Sequence, residues 1–540
     1  MNRLFAGVVS VVLITGTMLG AYLRNVPQVM VQPNGKIVHC LASGDEYHHW
    51  LHDSSNYTIV QDLQTGFYVY AVLLNGQLAP SPYVPGEVDP ASAGLRTAVN
   101  ISSYTWSTIR NKSLSGMPTN VRKVQNTGLL NNIVIFVRFS DDVEFGDSLD
   151  FYDGLFNSSI PGSISMRAYY EEASYAQLNI QSYFFPPPIG GAVVSFQDYH
   201  ARAYYRPFNA ATNPSGHTSD IDGRWRERNL VLNVLTGVSS QIPADLGLDN
   251  DNDGYVDNVC FVVAGSAEGW GAVLWPHMST VHESGVIING ARVGNFDFHL
   301  QASLKDNGVG VLCHEMFHSL GAPDLYHYNN DGVEPVFMWD IMAHETNPPQ
   351  HMGAYMKHRY GRWINSIPQI VTSGTYSLHP LAAANNNAFR IGSPNSMTEY
   401  FVLEYRRKTG SFEASLPGEG LLVYRINTGL DGQGNSEGPP DEVYIYRPDG
   451  TTMTNGNLSN ACYSSNVGRT ELNDATNPLS FLSDGQPGGL TIAGIGGADS
   501  IITFKVTLSL PHRLSLFSRL IISRIPASSF SSAGLARRER

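Results

Sequence analysis

The sequence predicts an α+β protein in which a mixed α/β region lies between two β-rich units. The 540 residues exceed what one hydrophobic core usually serves, so several folded units are expected. Helical periodicity is confined to the middle of the chain, whereas short strands separated by Gly, Pro and Asn turns fill the flanks. Hydrophobic residues make up 42% and charged residues 15%, which excludes a highly charged disordered chain.

Residues 1–21 are typical of a secretory signal peptide. Arg3 precedes an uncharged run from Leu4 to Leu23, and the small residue Ala21 marks the expected cleavage point. A signal anchor is the alternative, because the uncharged run could just span a bilayer. No other segment is long and apolar enough to do so. We therefore expect a secreted or extracytoplasmic protein without stable membrane insertion after cleavage.

Four further regions follow the signal. Residues 22–120 have alternating strands and an Asn75-Gly76 hairpin turn, which predict a β-rich unit. Residues 121–365 form the mixed α/β region, with a buried strand at 133–139 and a helix beginning near Ser163. Residues 366–508 predict a β-sandwich-like unit. The basic tail at 509–540 has no predicted role.

Charge and cysteine content exclude further classes of protein. The net charge of −13 disfavours a phosphate backbone as a ligand, so we expect no nucleic-acid partner. Four cysteines at 40, 260, 313 and 462 are too few and too scattered for a disulfide framework. We interpret the thiols as core residues.

A candidate metal site lies within residues 307–324. His314 and His318 are four residues apart, so on a helix both imidazoles can reach one metal ion, with Glu315 beside them. The opposite face carries an apolar stripe that consists of Val309, Leu312, Met316 and Leu320. This arrangement predicts two zinc ligands and, in Glu315, a catalytic base.

The chain after this helix predicts a third ligand. Gly321 can end the helix and Pro323 prevents it from resuming, so the chain turns back toward the metal. The segment resembles the metzincin pattern HExxHxxGxxH, and this resemblance places the third ligand at Asp324. Two histidines and one acid leave a fourth position open for water. His327 is the alternative ligand, and Glu334 or Glu345 would instead indicate a thermolysin-like arrangement.

The segment Trp339-Asp340-Ile341-Met342 resembles the Met-turn of metzincins. The resemblance implies that Met342 packs beneath the zinc ligands. Two residues later, where some metzincins have a tyrosine that assists the tetrahedral intermediate, this chain has His344. His344 is therefore the candidate for this second catalytic role, and the identity of the oxyanion helper stays open.

A second cation site is predicted upstream. Acids alternate along residues 249–257 with Gly254 at the sixth position, and the candidate calcium ligands are Asp249, Asp251, Asp253, Tyr255 and Asp257. Cys260 stands where an EF-hand needs a bidentate glutamate, so the loop is not an EF-hand. Closely packed carboxylates repel one another unless a cation joins them, which favours a structural Ca²⁺ over a plain polar turn.

These residues together resemble the immune inhibitor A family of secreted bacterial metallopeptidases, which belong to the metzincins. The resemblance rests on HEMFHSLGAPDLY, WDIM, DNDNDGYVDNV and IVIFVRFSD, and it extends from GDEYHHW at 44–50 to about residue 508. It implies a metzincin-like catalytic domain, a propeptide at 22–120 and a Zn²⁺-dependent endopeptidase with protein substrates. The propeptide of some metzincins blocks the zinc with an acid or thiol, for which Asp45, Glu46 and Cys40 are the candidates here.

Two other functions are compatible with the sequence. The chain could be a secreted calcium-dependent protein- or glycan-binding protein whose peptidase-like domain is inactive. It could also be an exopeptidase, which would require a free substrate terminus. Glu315 beside the two histidines favours a working, open site, because structural zinc sites normally close with four protein ligands.

Overall fold

The computed structural model describes residues 23–44, 48–102, 105, 108, 126–210, 213–266, 276–281, 285–328 and 331–508. The predicted signal peptide and the basic tail lie outside these residues. Within the described part of the chain, none of the helices has both the length and the apolar character needed to cross a bilayer.

The N-terminal unit is an antiparallel sheet of six strands in sequential order. The strands are β1 Leu23–Val31, β2 Ile37–Gly44, β3 His49–His52, β4 Thr58–Gln61, β5 Tyr68–Leu74 and β6 Gln77–Pro80. Asn75 and Gly76 both have positive φ, of 54° and 78°, as the primed hairpin turn between β5 and β6 requires. Alternate residues of β2 face the core of this sheet, so the predicted β-rich region has the expected pattern.

A mixed sheet forms the centre of the molecule. Its strands are β7 Gly128–Arg138, β8 Leu178–Phe185, β9 Phe196–Gln197, β10 Asn258–Val263, β11 His277–Thr280 and β14 Asn295–Leu300, and a separate hairpin contains β12 Ile287–Ile288 and β13 Ala291–Arg292. The order is β11-β14-β10-β7-β8, with β9 also paired to β7. The pairs are parallel except that the edge strand β11 is antiparallel to β14. Both faces of β7 are buried, as in a sheet covered by helices.

Among the described residues, six helices accompany this sheet: α1 Leu149–Phe156, α2 Met166–Ala173, α3 Asp220–Val238, α4 Gln301–Asn307, α5 Val309–Ser319 and α6 Ala354–Arg359. Ser165 caps α2 by accepting a hydrogen bond from the backbone of Ala168, which agrees with a serine-capped helix in this region. The helices α2 and α5 pack on one face of the sheet and α3 packs on the other. The mixed α/β class is confirmed.

The C-terminal unit contains two small antiparallel sheets. One has the order β16-β17-β18-β19 and the other β15-β21-β20. The strands are β15 Gly374–Leu378, β16 Ala388–Gly392, β17 Glu399–Arg406, β18 Gly420–Asn427, β19 Val443–Ile445, β20 Ile492–Ala493 and β21 Ile502–Val506. Side chains from both sheets share one core.

The second face of the four-stranded sheet belongs to a different core. Val402 on β17 and Leu422 and Tyr424 on β18 pack in the same cluster as α2 and α5. The proposed boundary between residues 365 and 366 therefore crosses a continuous hydrophobic core. The C-terminal unit forms one wall of the region around α5.

Candidate metal centre

The helix α5 is enclosed by protein. Its residues from Val309 to Phe317 are all buried, and His318 near the end is partly exposed. The predicted apolar stripe packs in the core shared with α2, while the histidines lie on the other side. Gly321 has a φ of 97°, so it ends the helix in the left-handed region as expected. The chain then turns back along α5, with the backbone N–H of Ala322 donating to the Phe317 carbonyl at 3.0 Å.

Both imidazoles of α5 are oriented by backbone carbonyls. Nδ1 of His314 is 3.0 Å from the carbonyl oxygen of Ile341, and Nδ1 of His318 is 2.8 Å from that of Ala322. A carbonyl only accepts, so these contacts place the ring proton on Nδ1 of each histidine. The lone pair on each Nε2 is then available to a metal, which is the usual arrangement of metal-binding histidines.

Asp324 completes a triangle of ligand atoms. The two Nε2 atoms are 3.1 Å apart, and Asp324 Oδ1 lies 3.2 Å from that of His314 and 3.3 Å from that of His318. Tetrahedral bonds of about 2.0–2.1 Å would place ligand atoms roughly 3.3–3.4 Å apart. Asp324 Oδ1 is buried and accepts no hydrogen bond. Three lone-pair atoms facing one another repel unless a cation lies between them, so these residues fit a zinc ion.

Two side chains that the sequence reasoning did not assign to this role support the triangle. The hydroxyl of Tyr328 donates a short hydrogen bond to Oδ2 of Asp324, which leaves Oδ1 to face the histidines. Glu345 Oε1 lies 3.0 Å from Nδ1 of His314, on the side of the ring away from Asp324. Glu345 is therefore placed to orient a histidine rather than to replace Asp324 as a ligand.

The electrostatics of the site favour a divalent cation. Glu315, Asp324 and Glu345 are all buried around the two imidazoles. Burial by itself lowers the pKa of His318, but the charge of Asp324 outweighs it and raises this pKa to about 9. Burial would raise the pKa of Asp324, yet the two imidazoles hold it well below its usual range. A cation at the triangle would supply the positive charge that protons on the histidines otherwise supply.

Glu315 lies beside the ligand atoms. One of its carboxylate oxygens and one ring nitrogen from each of His314 and His318 are all within 4.8 Å of one another. The carboxylate is fully buried. This position suits a group that exchanges a proton with a reactant held next to the metal.

His327 and Glu334 are the remaining alternative ligands. His327 is buried between two carboxylates, with Asp331 2.9 Å from Nδ1 and Asp441 2.6 Å from Nε2. Burial lowers its pKa, but these acids outweigh burial and raise it to about 9, which disfavours His327 as a metal ligand. The backbone of Glu334 is bonded to Asn455 and Arg447.

The candidate Met-turn passes next to α5. The carbonyl of Ile341 faces His314, and the carbonyl of Met342 accepts a hydrogen bond from the backbone of Leu325 at 2.8 Å. The turn therefore contacts both the helix and the segment after Asp324. Met342 is fully buried in the core shared with α5. Asp340 holds the turn by accepting hydrogen bonds from the N–H groups of Met342 and Gly353 at 2.9 and 2.7 Å.

His344 lies at the end of the same turn. Its ring is 5.1 Å from that of Phe337, and its backbone carbonyl accepts from the Gln350 side chain. Burial lowers its pKa to about 4, so the imidazole is neutral near pH 7. A neutral imidazole still carries one N–H that can donate a hydrogen bond.

The predicted calcium loop precedes β10. One carboxylate oxygen from each of Asp249, Asp251 and Asp253 lies within 4.8 Å of the others. Asp249 also accepts from the backbone of Asp253 and Gly254, both at 2.8 Å. Asp257 accepts from the side chain of Asn250 at 2.7 Å. Burial raises the pKa of Asp257 to about 7.

Of the three latency candidates, Cys40 lies in the described part of the N-terminal sheet. Cys40 on β2 is buried within the core of that sheet, and burial raises its pKa to about 11, which disfavours a metal-binding thiolate. Asp45 and Glu46 lie outside the described residues. All four cysteines are buried and unpaired, in agreement with core thiols. Trp50 on β3 packs against Tyr326 and Tyr328, so the N-terminal sheet contacts the segment that follows Asp324.

Comparison with known proteins identifies the same region. Residues 244–363 match the family model of the immune inhibitor A peptidase M6 catalytic domain. Immune inhibitor A from Bacillus thuringiensis subsp. alesti is 28% identical over 249 residues, which cover 38% of this chain. The match covers 33% of the relative, so this chain spans about a third of that protein's length. The resemblance inferred from the motifs is confirmed for this region: residues 244–363 are similar to the catalytic domain of the immune inhibitor A metallopeptidases.

Proposed function

We propose that this protein is a secreted, zinc-dependent endopeptidase that acts on protein substrates. The observation that carries the proposal is the triangle of two Nε2 atoms and Asp324 Oδ1, with separations of 3.1–3.3 Å. Secretion rests on the predicted signal peptide, and the substrate class rests on the family of the catalytic region.

The proposed chemistry divides roles among the residues of the site. His314, His318 and Asp324 would hold zinc, which when bound polarises the scissile carbonyl and makes water more acidic. Glu315 accepts the proton of the attacking water and delivers it to the leaving amine. His344 is proposed to donate a hydrogen bond to the developing oxyanion through its neutral imidazole.

An edge strand beside α5 supports internal cleavage. The antiparallel strand β11 forms one edge of the central sheet and packs next to α5. An extended peptide can add to an exposed strand edge through main-chain hydrogen bonds, which do not require a free terminus. Cleavage of a peptide blocked at both ends would distinguish an endopeptidase from an exopeptidase.

The acidic loop is proposed to bind one structural calcium ion through Asp249, Asp251 and Asp253. The loop leads directly into β10, so bound calcium would fix the start of a central strand.

The N-terminal sheet is proposed to be a propeptide. Its contact through Trp50 supports a latent form, and removing residues 22–120 should then increase proteolysis.

Metal analysis joined to casein digestion tests the proposed activity. We expect one zinc ion per chain, loss of digestion with a chelator and recovery with added zinc. The Glu315→Gln variant should keep its zinc but digest casein about 10²–10⁴-fold more slowly, because only the proton transfer is removed. Glu171→Gln, an exposed change on α2, serves as the control. Full digestion by pure, zinc-loaded Glu315→Gln would contradict the assignment, and inactive wild-type protein would favour a binding role.

A further inference from the structure

The connection between β18 and β19, residues 428–442, lies against the segment that carries Asp324. The backbone N–H of Asn435 donates to the Asp324 carbonyl at 2.9 Å. Four residues after Asp324, the N–H of Tyr328 donates to the carbonyl of Ser436, the residue after Asn435, at 3.1 Å. The connection is thus bonded to the backbone of both Asp324 and Tyr328, the tyrosine that holds the Asp324 carboxylate.

The side chain of Asn435 adds a second link. It is fully buried, and its Nδ2 donates to the Leu325 carbonyl at 3.0 Å and to the Val443 carbonyl at 2.8 Å. Its Oδ1 accepts from the Val443 N–H at 3.0 Å. Asn435 therefore connects the residue after Asp324 to β19 of the C-terminal sheet. An alanine here would leave three buried backbone groups without this partner.

Gly434 brings the connection into direct contact with the ligand-bearing segment. Its φ of 65° is in the left-handed region. A Cβ at this position would overlap the carbonyl oxygen of Asp324 and would lie 2.8 Å from Cβ of Pro323. The close approach that places Asn435 on Asp324 consequently requires glycine at 434.

The connection is itself anchored to the rest of the molecule. The N–H of Gly434 donates to Glu442 Oε2 at 2.7 Å, and Glu442 Oε1 accepts from the hydroxyls of Tyr355 and Tyr360 at 2.7 Å each. Tyr355 lies on α6, which belongs to the same core as α5. The connection is thus bonded to Asp324 and also to α6 through Glu442, so it can hold Asp324 in a fixed position.

We infer that Gly434 and Asn435 are positioning residues for the third zinc ligand, so that the β-rich C-terminal unit is part of the metal centre. This inference rests on the proposed zinc site. Outer-shell groups of a metal site orient its ligands, and their loss typically weakens metal binding about 10–100-fold. Residues 244–363, which match the catalytic-domain family model, do not include Gly434 and Asn435 and therefore lack this support on their own.

Two glycines in the same connection allow a matched test. Gly432 has a φ of 86° and has no atom within 4 Å of a Cβ built on it, whereas Gly434 faces Asp324. Gly432→Ala and Gly434→Ala therefore impose similar backbone strain, and only the second change displaces the ligand-bearing segment. The full-length proteins are compared by zinc competition with a chromophoric chelator and by thermal unfolding of the zinc-free forms.

We expect Gly434→Ala to weaken zinc binding about 10–100-fold relative to Gly432→Ala. The unfolding temperatures of the two zinc-free variants should change by similar amounts. Asn435→Ala should do the same relative to Asn427→Ala. Asn427 is a buried asparagine at the start of the connection, and its side-chain bonds are to Gly429 and Ser483. Zinc affinities within twofold in both pairs would overturn the inference. If wild-type protein binds no zinc, the proposed function fails, and this inference with it.

Discussion

The two candidate cation sites are built differently. In the zinc triangle the ligand atoms are buried and 3.1–3.3 Å apart, and each ligand is held by a group outside the α5 helix. In the acidic loop the carboxylates are only within 4.8 Å of one another, and Asp251 and Asp253 are exposed. Asp249 is held by the backbone of its own loop.

This difference separates a site that depends on the whole fold from one that depends on a local segment. The triangle is formed by residues of α5 and the following loop, and the Met342 turn and the C-terminal unit support it. A change in any of these elements can displace a ligand. The acidic loop is contained in residues 249–257. Loss of its cation site should therefore affect the stability of the neighbouring strand more than the proposed peptide hydrolysis.

The largest contrast is expected when the same substitution is made in both sites. Asp324→Asn removes the charge that faces the two imidazoles, and it should abolish proteolysis and weaken zinc binding by more than the roughly 10–100-fold cost of losing an outer-shell group. Asp249→Asn should leave zinc affinity unchanged. Zinc competition and casein digestion on both variants check the comparison. Equal effects of the two changes would show that the sites are not independent.

A smaller effect is expected from removing one hydroxyl near the zinc triangle. Tyr328→Phe deletes the donor to Asp324 Oδ2 and should weaken zinc binding about 10–100-fold, while the zinc-loaded enzyme keeps much of its turnover. Tyr199→Phe, at an exposed tyrosine, is the control. Unchanged zinc affinity in Tyr328→Phe would mean that Asp324 is oriented by its backbone alone.

The smallest effect on activity is expected in the acidic loop. Calcium at about 100 times its dissociation constant should stabilise the wild-type protein by about 2.7 kcal/mol if it binds only the folded state. The double change Asp249→Asn with Asp253→Asn should remove this calcium-dependent rise in the unfolding temperature, whereas Asp306→Asn at another surface acid should not. A calcium response that survives the double change would place the ion elsewhere.

Local spacing explains what the sequence could predict. Two histidines one helical turn apart, a helix end at Gly321 and an acid after Pro323 are all features of one short segment. The structure brings His314, His318 and Asp324 together as that segment predicts. The supporting residues could not be found in this way, because Glu345 and Asn435 reach the site through tertiary contacts and no periodic rule relates them to α5.

The packing of the C-terminal unit against the central region could not be predicted from the sequence for a related reason. Glu404 and Arg406, both on β17, are charged residues, which normally indicate a solvent-facing strand. Both are fully buried, because Arg406 bonds to Glu413 at 2.6 Å and donates to the carbonyl of Trp339 at 2.8 Å. A buried arginine whose charge is paired with Glu413, and which donates across the boundary to Trp339, thus accompanies the apolar packing of this sheet against the central core.

Anomalous diffraction at the zinc absorption edge, from crystals of the purified full-length protein, tests the metal site most directly. We predict one zinc ion bonded to Nε2 of His314, Nε2 of His318 and a carboxylate oxygen of Asp324, at about 2.0–2.2 Å. Zinc that binds with Asp324 outside bonding distance, or no anomalous peak at α5, would contradict the account.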